Sequence, residues 1–462
     1  MMRSFRRFVV GLLGGALWLA LLGGALSATR AAASLPAASD RPICFVDGYD
    51  VACVDRAGLN PAGPIGDQVR SILAAMLAGP TAAERAAGVR SALPSPTELA
   101  EVAVDADRAE IKLIVPATFL ATLTDVQVES ISRQFHLTLT PFNFKWLAVY
   151  ARDADGRFRL ISSFLKPRPR PQKEPASTGA PQVTSVTRPG GLAGKTVFVS
   201  AGHGWYWNST LGTYKTQRPV YPTAPYPAGE GVIEDFNNAE VVNQFLLRYL
   251  WNSGADAWTV RERDMNTAMI IVDNASAAFA AQGAWATNAG GYGGDYRAAA
   301  TVTGSATATA TWTFTPTTTG LYAVYLWFPG AAANRATDVH VSIEHAGATT
   351  LLTITQARDA NNWRFIGDYP FYGGAPARVS IANRSSVPGL NVLADALRVG
   401  GGCGDVSLNG APPSNRPRWE EQASQYAKWV GHPDAGEVSD VWIRPRYAEW
   451  EKESGEDAVY VS

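Results

Sequence analysis

An apolar run at Val197 to Val199 leads into S-A-G-H-G-W, so a strand stops where His203 stands between two glycines. Such a strand presents one imidazole at its carboxyl end with no bulky neighbour in the way. Imidazole is a common metal ligand, yet the tripeptide taken alone is more often a turn than a ligand. A carboxylate follows at Glu234, at the entry to a helical stretch, where it equally complements the helix dipole. Glu230 precedes a glycine and lies away from the helix start, which makes it the second choice. The chain has five histidines. His136 lies in an N-terminal module, and His340 alternates with Val339 and Val341 and so faces outward. His345 is a surface residue of the same region, and His432 sits in G-H-P-D, a loop after a helix.

The elements that must position His203 and Glu234 are legible around them. G-K-T-V-F-V-S reads as a buried strand and A-D-A-W-T-V-R as a second. Asn237 to Trp251 reads as the helix between them, with Val241, Val242, Phe245, Leu246, Tyr249 and Leu250 on its buried face. Asn237 is its N-cap and Gly254 its stop. Residues 191–268 therefore have α/β character. From 269 to 401 nothing reads as a long helix. Short alternating runs such as A-T-A-T-A-T-W-T-F-T-P and D-V-H-V-S-I-E-H, with turns between them, argue a β-sandwich. From 402 to 462 the α/β pattern resumes, with helices at Trp419 to Val430 and from Arg446 to Lys452, and a strand opening at Asp457. The sandwich reads as an insertion in an α/β domain.

Upstream, residues 41–166 read as a small α/β domain. Val69, Ile72, Leu73, Met76 and Leu77 recur at helical spacing, and Thr81 with Glu84 makes a capping box for a second helix. E-V-A-V-D, A-E-I-K-L-I-V, H-L-T-L-T and W-L-A-V-Y-A read as strands. Cys44 and Cys53 flank a short loop and either pair in an oxidising compartment or stay thiols, while Cys403 is left over. C-x8-C without a nearby histidine is a poor zinc pattern. Residues 167–190 alternate proline with polar residues and form an extended spacer.

At residues 1–35 three arginines precede an apolar run and small residues, which is an export signal, either cleaved or kept as a membrane anchor. Either way the remainder lies outside the cytoplasm, secreted or anchored at the cell envelope. The net charge of -1 gives no basic excess, so nucleic acid is not an expected partner. Any membrane contact runs through an uncleaved N-terminal segment.

Three resemblances add to this reading. L-A-G-P-T-A-A-E-R-A-A-G-V-R-S-A-L-P followed by T-E-L-A-E-V-A-V-D resembles the GerMN domain, a non-catalytic envelope module. I-V-D-N-A-S, Y-G-G-D-Y-R, N-N-W-R-F-I-G-D-Y and L-A-D-A-L-R-V resemble the golvesin C-terminal-like module, which implies glycan or wall binding by the sandwich. V-F-V-S-A-G-H-G, G-V-I-E-D-F-N-N-A-E-V-V and T-V-R-E-R-D resemble the zinc-dependent N-acetylmuramoyl-L-alanine amidases of the amidase_3 type.

That last resemblance implies Zn²⁺ as cofactor, held by His203 and Glu234, and peptidoglycan as substrate, cut at the amide between the muramic lactyl group and L-alanine. The metal lowers the pKa of its bound water to about 7 and polarises the carbonyl, and a carboxylate base moves the proton. Trp205 and Trp207, in W-Y-W-N, either line the sugar-peptide groove or pack the loop. Arg261 and Asp264 read as structural. The family's third ligand, a histidine in S-x-H-x-N, has no match. Y-V-S at Tyr460 to Ser462 fits the opening of that strand, so the expectation is a truncated amidase, inactive as it stands, whose third ligand and base follow Ser462. The alternative is a non-catalytic wall- or glycan-binding envelope protein on a degenerate amidase scaffold.

Overall fold

The computed structural model describes residues 42–461 except 49, 57–58, 60–62, 106, 167–188, 210, 219, 222–231, 331–333 and 454. The export signal, most of the proline-rich spacer and Glu230 lie outside the described residues. Among the described residues, no helix is long and apolar enough to cross a membrane.

The first unit is a four-stranded sheet in the order Glu98–Asp105, Arg108–Ile114, Trp146–Arg152, Phe158–Leu160. Helices Ile65–Leu77 and Asp125–Leu139 bury Val69, Ile72, Leu73, Met76, Ile131 and Phe135 in its core. Thr81 and Glu84 form the expected capping box. Cys44 and Cys53 are joined by a disulfide across the hairpin Ile43–Asp47/Asp50–Val54. One expectation fails here. H-L-T-L-T ends the Asp125–Leu139 helix, because Ile131, Phe135, Thr138 and Leu139 fall on one buried helical face that outweighs the local alternation.

The second unit is a three-stranded parallel sheet, Asp256–Thr259, Thr196–Val199, Ala458–Val461, with Thr196–Val199 in the middle. Its central strand is buried at every position, as a parallel strand covered on both faces must be. A continuous helix from Glu234 to Asn252 crosses between the first two strands, with a π turn at Val242–Leu246. It begins three residues before the expected Asn237 cap, with Ile233 at the N-cap. Leu247 is its buried anchor, and Val242, Leu246 and Leu250 pack beside it as expected, while Val241, Phe245 and Tyr249, expected on the same face, are exposed. The π turn adds a residue to one helical turn and so rotates the stripe. The later helices are Ala423–Trp429 and Asp440–Glu451.

Between the second and third strands sits an all-β unit, which makes this a multidomain, sandwich-rich chain. One sheet runs Ile270–Val272, Ala396–Val399, Gly320–Trp327, Arg364–Phe371. The opposite sheet runs Phe279–Gln282, Thr309–Phe314, Ala377–Ala382, Val339–His345, Ala348–Ile354. Trp312, Phe314, Tyr322, Val324, Val341, Ile343, Ile366, Val379 and Ile381 fill the space between them. The alternate burial along Thr309–Phe314 and Val339–His345 is the period-2 pattern of inward and outward positions.

The sandwich is locked to the α/β unit by buried charge. Glu262 pairs with Arg398, both fully buried, and accepts from the Tyr325 hydroxyl at 3.0 Å. Arg364 bridges Asp256 at 2.6 Å and Asp359 at 3.1 Å.

Candidate functional site

Two places in the molecule gather chemistry: the carboxyl edge of the parallel sheet and one face of the sandwich.

At the sheet edge, the chain leaves Val199 and turns through Ser200 to Gly204. His203 adopts φ 66°, in the left-handed region that non-glycine residues seldom occupy. Such a conformation persists only where surrounding contacts over-determine it. Those contacts are present. A Cβ at Gly204 would stand 2.6 Å from Gln422 N, so the 420–422 backbone lies directly against the loop and only glycine fits. Trp205 O accepts from Gln422 N at 3.1 Å. Arg261, buried, donates from Nη1 to Gly202 O at 2.9 Å and from Nη2 to Trp419 O at 2.7 Å, the structural role expected of it. Asp235, fully buried, accepts from Gly204 N at 3.0 Å, Gln217 N at 2.7 Å and Arg218 N at 3.0 Å. One carboxylate thereby ties the His203 loop to the 217–218 segment.

The result is a short relay. His203 Nε2 lies 3.3 Å from Glu234 Oε1, and His203 Nδ1 lies 3.0 Å from Gln217 Oε1. Gln217 Nε2 donates to Gln422 Oε1 at 3.1 Å, which turns the Gln217 carbonyl toward the imidazole. Nδ1 is therefore a donor to Gln217, and Nε2 faces the Glu234 carboxylate. Arg218 Nε holds the other Glu234 oxygen at 3.3 Å. A separation of 3.3 Å suits a hydrogen bond, and it equally suits two donors on one ion, since ligand atoms about 2.0–2.1 Å from a tetrahedral centre stand about 3.3 Å apart. The hydrogen bond from Nδ1 to a fixed oxygen is the outer partner that metal-bound histidines carry. Among the described residues, however, no group of three His, Cys, Asp or Glu side chains is arranged to hold a metal.

The structure brings His203 and Glu234 together and places the remaining histidines elsewhere. His432 is buried, its Nδ1 accepting from Asp434 N at 3.1 Å and its ring 5.0 Å from Trp450, and burial lowers its pKa. It is a core histidine and not a third ligand. Trp205 and Trp207 are both engaged in packing. Trp205 Nε1 donates to Glu420 Oε2 at 2.8 Å, and its ring lies between Phe236 and the Arg416 guanidinium. Trp207 meets Tyr214 edge-on at 5.3 Å. The carboxyl end of Ala458–Val461 reaches the same sheet edge, Val461 opposite Val199. Sequence reasoning missed Gln217, Arg218 and Asp235. Asp235 alone gave a signal, as the second acidic residue of a helix first turn.

On the sandwich, the Y-G-G-D-Y-R loop carries Tyr292, which is 43% exposed. It leans edge-on against Trp363 at 4.9 Å and Trp327 at 5.9 Å. Its backbone N–H donates to Asp395 at 3.1 and 3.3 Å. Burial pushes the Asp395 carboxyl up to about 7, with the Tyr292 N–H opposing and the Asp273 and Asp295 carboxylates reinforcing the shift. Gly291, just before this loop, has φ 86° and backbone close by, and Gly293, within it, lies against a side chain. A Cβ at Gly291 would fall 2.6 Å from Asp395 Oδ2, and one at Gly293 would fall 2.5 Å from Asp273 Oδ1. An exposed aromatic ring is thus held rigidly over a carboxylate-lined base.

Comparison with known proteins bears on this face. Residues 270–401 match the Golvesin C-terminal domain. Xanthan lyase of Bacillus sp. (strain GL1) is 35% identical over 134 residues, which cover 28% of this chain and 14% of that protein. The match thus takes in a small part of the lyase. Among solved structures, a Paenibacillus xanthan lyase is 32% identical, covering 29% of this chain and 13% of its own, with a TM-score of 0.27. A family 35 carbohydrate-binding module from Clostridium thermocellum is 17% identical, covering 28% and 98%, with a TM-score of 0.21. The module from Cellvibrio japonicus Abf62 is 17% identical, covering 29% and 94%, with a TM-score of 0.22.

Proposed function

We propose that this protein is a glycan-binding protein of the cell envelope, exported by its N-terminal segment, with the sandwich as its binding part. The observation that carries this reading is Tyr292, an exposed ring fixed in place by two tryptophans and a buried carboxylate. Flat apolar ring faces of sugars pack on such a platform, and its rigidity spares the ordering cost of binding. The match of 270–401 to the Golvesin C-terminal domain supports it, as does the identity shared with a protein named for acting on xanthan, a polysaccharide. The test is retention of the full chain on a panel of insoluble peptidoglycan, xylan and cellulose and in xanthan-containing gels. Retention by at least one polysaccharide, lost in Tyr292→Ala, is expected. No retention by any of them refutes the reading.

A second reading is favoured by one observation, the 3.3 Å approach of His203 Nε2 to Glu234 Oε1 at a parallel-sheet edge. It is a zinc site of the N-acetylmuramoyl-L-alanine amidase type, with His203 and Glu234 as two ligands and Gln217 fixing the ring. Bound zinc would supply a Lewis acid for a peptidoglycan amide. Two protein ligands make a weak site, and a third is not among the described residues. Zinc content of the purified, dialysed protein tests it. About one equivalent in the wild type, lost in His203→Ala, supports a metal site; equal trace levels in both exclude it.

A further inference from the structure

The seam between the α/β unit and the sandwich encloses a second polar site that neither reading uses. A cleft of about 310 Å³ opens between the π turn of the long helix, the loop after Asp256–Thr259 and the Gly320–Trp327 and Arg364–Phe371 strands. Clefts of this size between domains, with a few convergent polar groups, are the usual form of small-ligand sites. A single turn of π helix within an α-helix also marks such places disproportionately.

The key residue is Arg263. It is 9% exposed and its guanidinium lies over the Phe365 ring at 3.6 Å. It makes no hydrogen bond or ion pair among the described residues, whereas the buried arginines of the same seam, Arg364 and Arg398, each have a carboxylate. None of its nitrogens is sealed from solvent, so the guanidinium reaches the cleft wall with donors that no described protein group uses. Facing it is Asp368, whose pKa burial raises against the pull of Arg263 and Arg248. Among the described residues, Asp368 has only the 3.9 Å approach of Arg248 Nε as a partner. The neighbouring Asp264 is already spent, on Ala323 N at 2.7 Å and on Asn266 at 2.6–2.8 Å. The cleft therefore offers unused donors on one side and an unused acceptor on the other. Two arginines stand against two aspartates, so charge within it is balanced.

We propose that this cleft holds an uncharged pyranose unit of a glycan, one hydroxyl accepting from Arg263 and an adjacent one donating to Asp368, with Gln244 and Asn266 at the rim. A neutral polyol meets both unsatisfied groups at once. An anion would satisfy Arg263 but set a second negative charge beside Asp368. The inference rests on the glycan-binding reading for the class of ligand only, since the cleft and the Tyr292 platform share no residue.

The test is saturation-transfer NMR and titration of the full chain with glucose, galactose, N-acetylglucosamine and glucuronate. At least one neutral sugar is expected to bind. Arg263→Met, which keeps the stacking on Phe365, should weaken it tenfold or more, and Asp368→Asn several-fold. Tyr292→Ala should leave this affinity unchanged while abolishing polysaccharide retention, so the two sites fail separately. Thermal melting screens the variants for folding. Should Arg263→Met not fold, the more exposed Asp368→Asn decides. No bound sugar, glucuronate tighter than every neutral sugar, or affinities unaltered in the folded variants would each overturn the proposal.

Discussion

At the scale of single residues, the strained backbone of His203 and the triple acceptance by Asp235 are one construction. Asp235 satisfies the N–H groups of Gly204, Gln217 and Arg218, and those bonds place the imidazole between Gln217 and Glu234. Removing the carboxylate leaves two buried donors and one partly buried donor unmet, each buried one costing roughly 1–3 kcal/mol. Asp235→Ala should therefore destabilise the protein by about 3 kcal/mol or more, read by urea unfolding. The nuclear magnetic resonance signals of the His203 ring should broaden or shift in the same variant. A change below about 0.5 kcal/mol would contradict the account. The Gly-His-Gly motif was legible in the sequence because its neighbours are small and apolar. Gln217 was not, since it reaches the site from a loop fourteen positions later in the chain, with no pattern linking it to His203. The two indoles of W-Y-W-N were visible as a feature, but only the positions of Phe236, Arg416 and Tyr214 show what their half-buried rings touch.

At the scale of elements, buried carboxyls with raised pKa values set a pH dependence whose sign can be worked out. Burial pushes the Asp395 carboxyl up to about 7 in the folded chain, against an ordinary value near 4 when unfolded. A raised value means that the folded state favours the protonated form. Its stability contribution is complete below about pH 4 and lost as pH rises through 7. Asp395→Asn keeps an oxygen for Tyr292 N–H and removes the titration. Thermal midpoints of wild type and variant should converge below about pH 4 and diverge from there upward, the wild type melting several degrees lower at pH 8. Parallel pH profiles would contradict this.

Element periodicity was also where sequence reading met its limits. Alternation identified the Thr309–Phe314 and Val339–His345 strands because each has one wet face. The same alternation misled at H-L-T-L-T, the end of a helix long enough to impose its own period. The buried face of the Glu234–Asn252 helix was read half correctly: Val242, Leu246 and Leu250 pack on the core, while Val241, Phe245 and Tyr249 turn outward along a helix with a π turn that residue types do not reveal.

At the scale of the whole molecule, the sandwich is an insertion that the α/β unit grips. Glu262 follows the second parallel strand, and Arg398 ends the sandwich, so the Glu262–Arg398 pair clasps the two ends of the inserted segment. Breaking one partner of a buried pair costs about 3–5 kcal/mol, because it strands the other charge. Glu262→Ala should lower global stability by that order and should also uncouple the units, so that calorimetry shows two transitions in place of one. A single transition with unchanged midpoint would contradict the coupling. The insertion was legible from the break in composition at both ends of the sandwich. The clasp was not, because T-V-R-E-R-D and L-A-D-A-L-R-V stand 136 positions apart at Glu262 and Arg398 and nothing in either pairs them.

The measurement that bears most directly on the central claim is the affinity of the full chain for whichever polysaccharide retains it, compared between wild type and Tyr292→Ala. Truncating a central aromatic anchor removes about 2 kcal/mol or more of binding. The account predicts a loss of at least tenfold in a variant that still folds, as judged by cooperative thermal melting. Equal affinities of a folded Tyr292→Ala and the wild type would contradict it and move the binding surface away from the Y-G-G-D-Y-R loop.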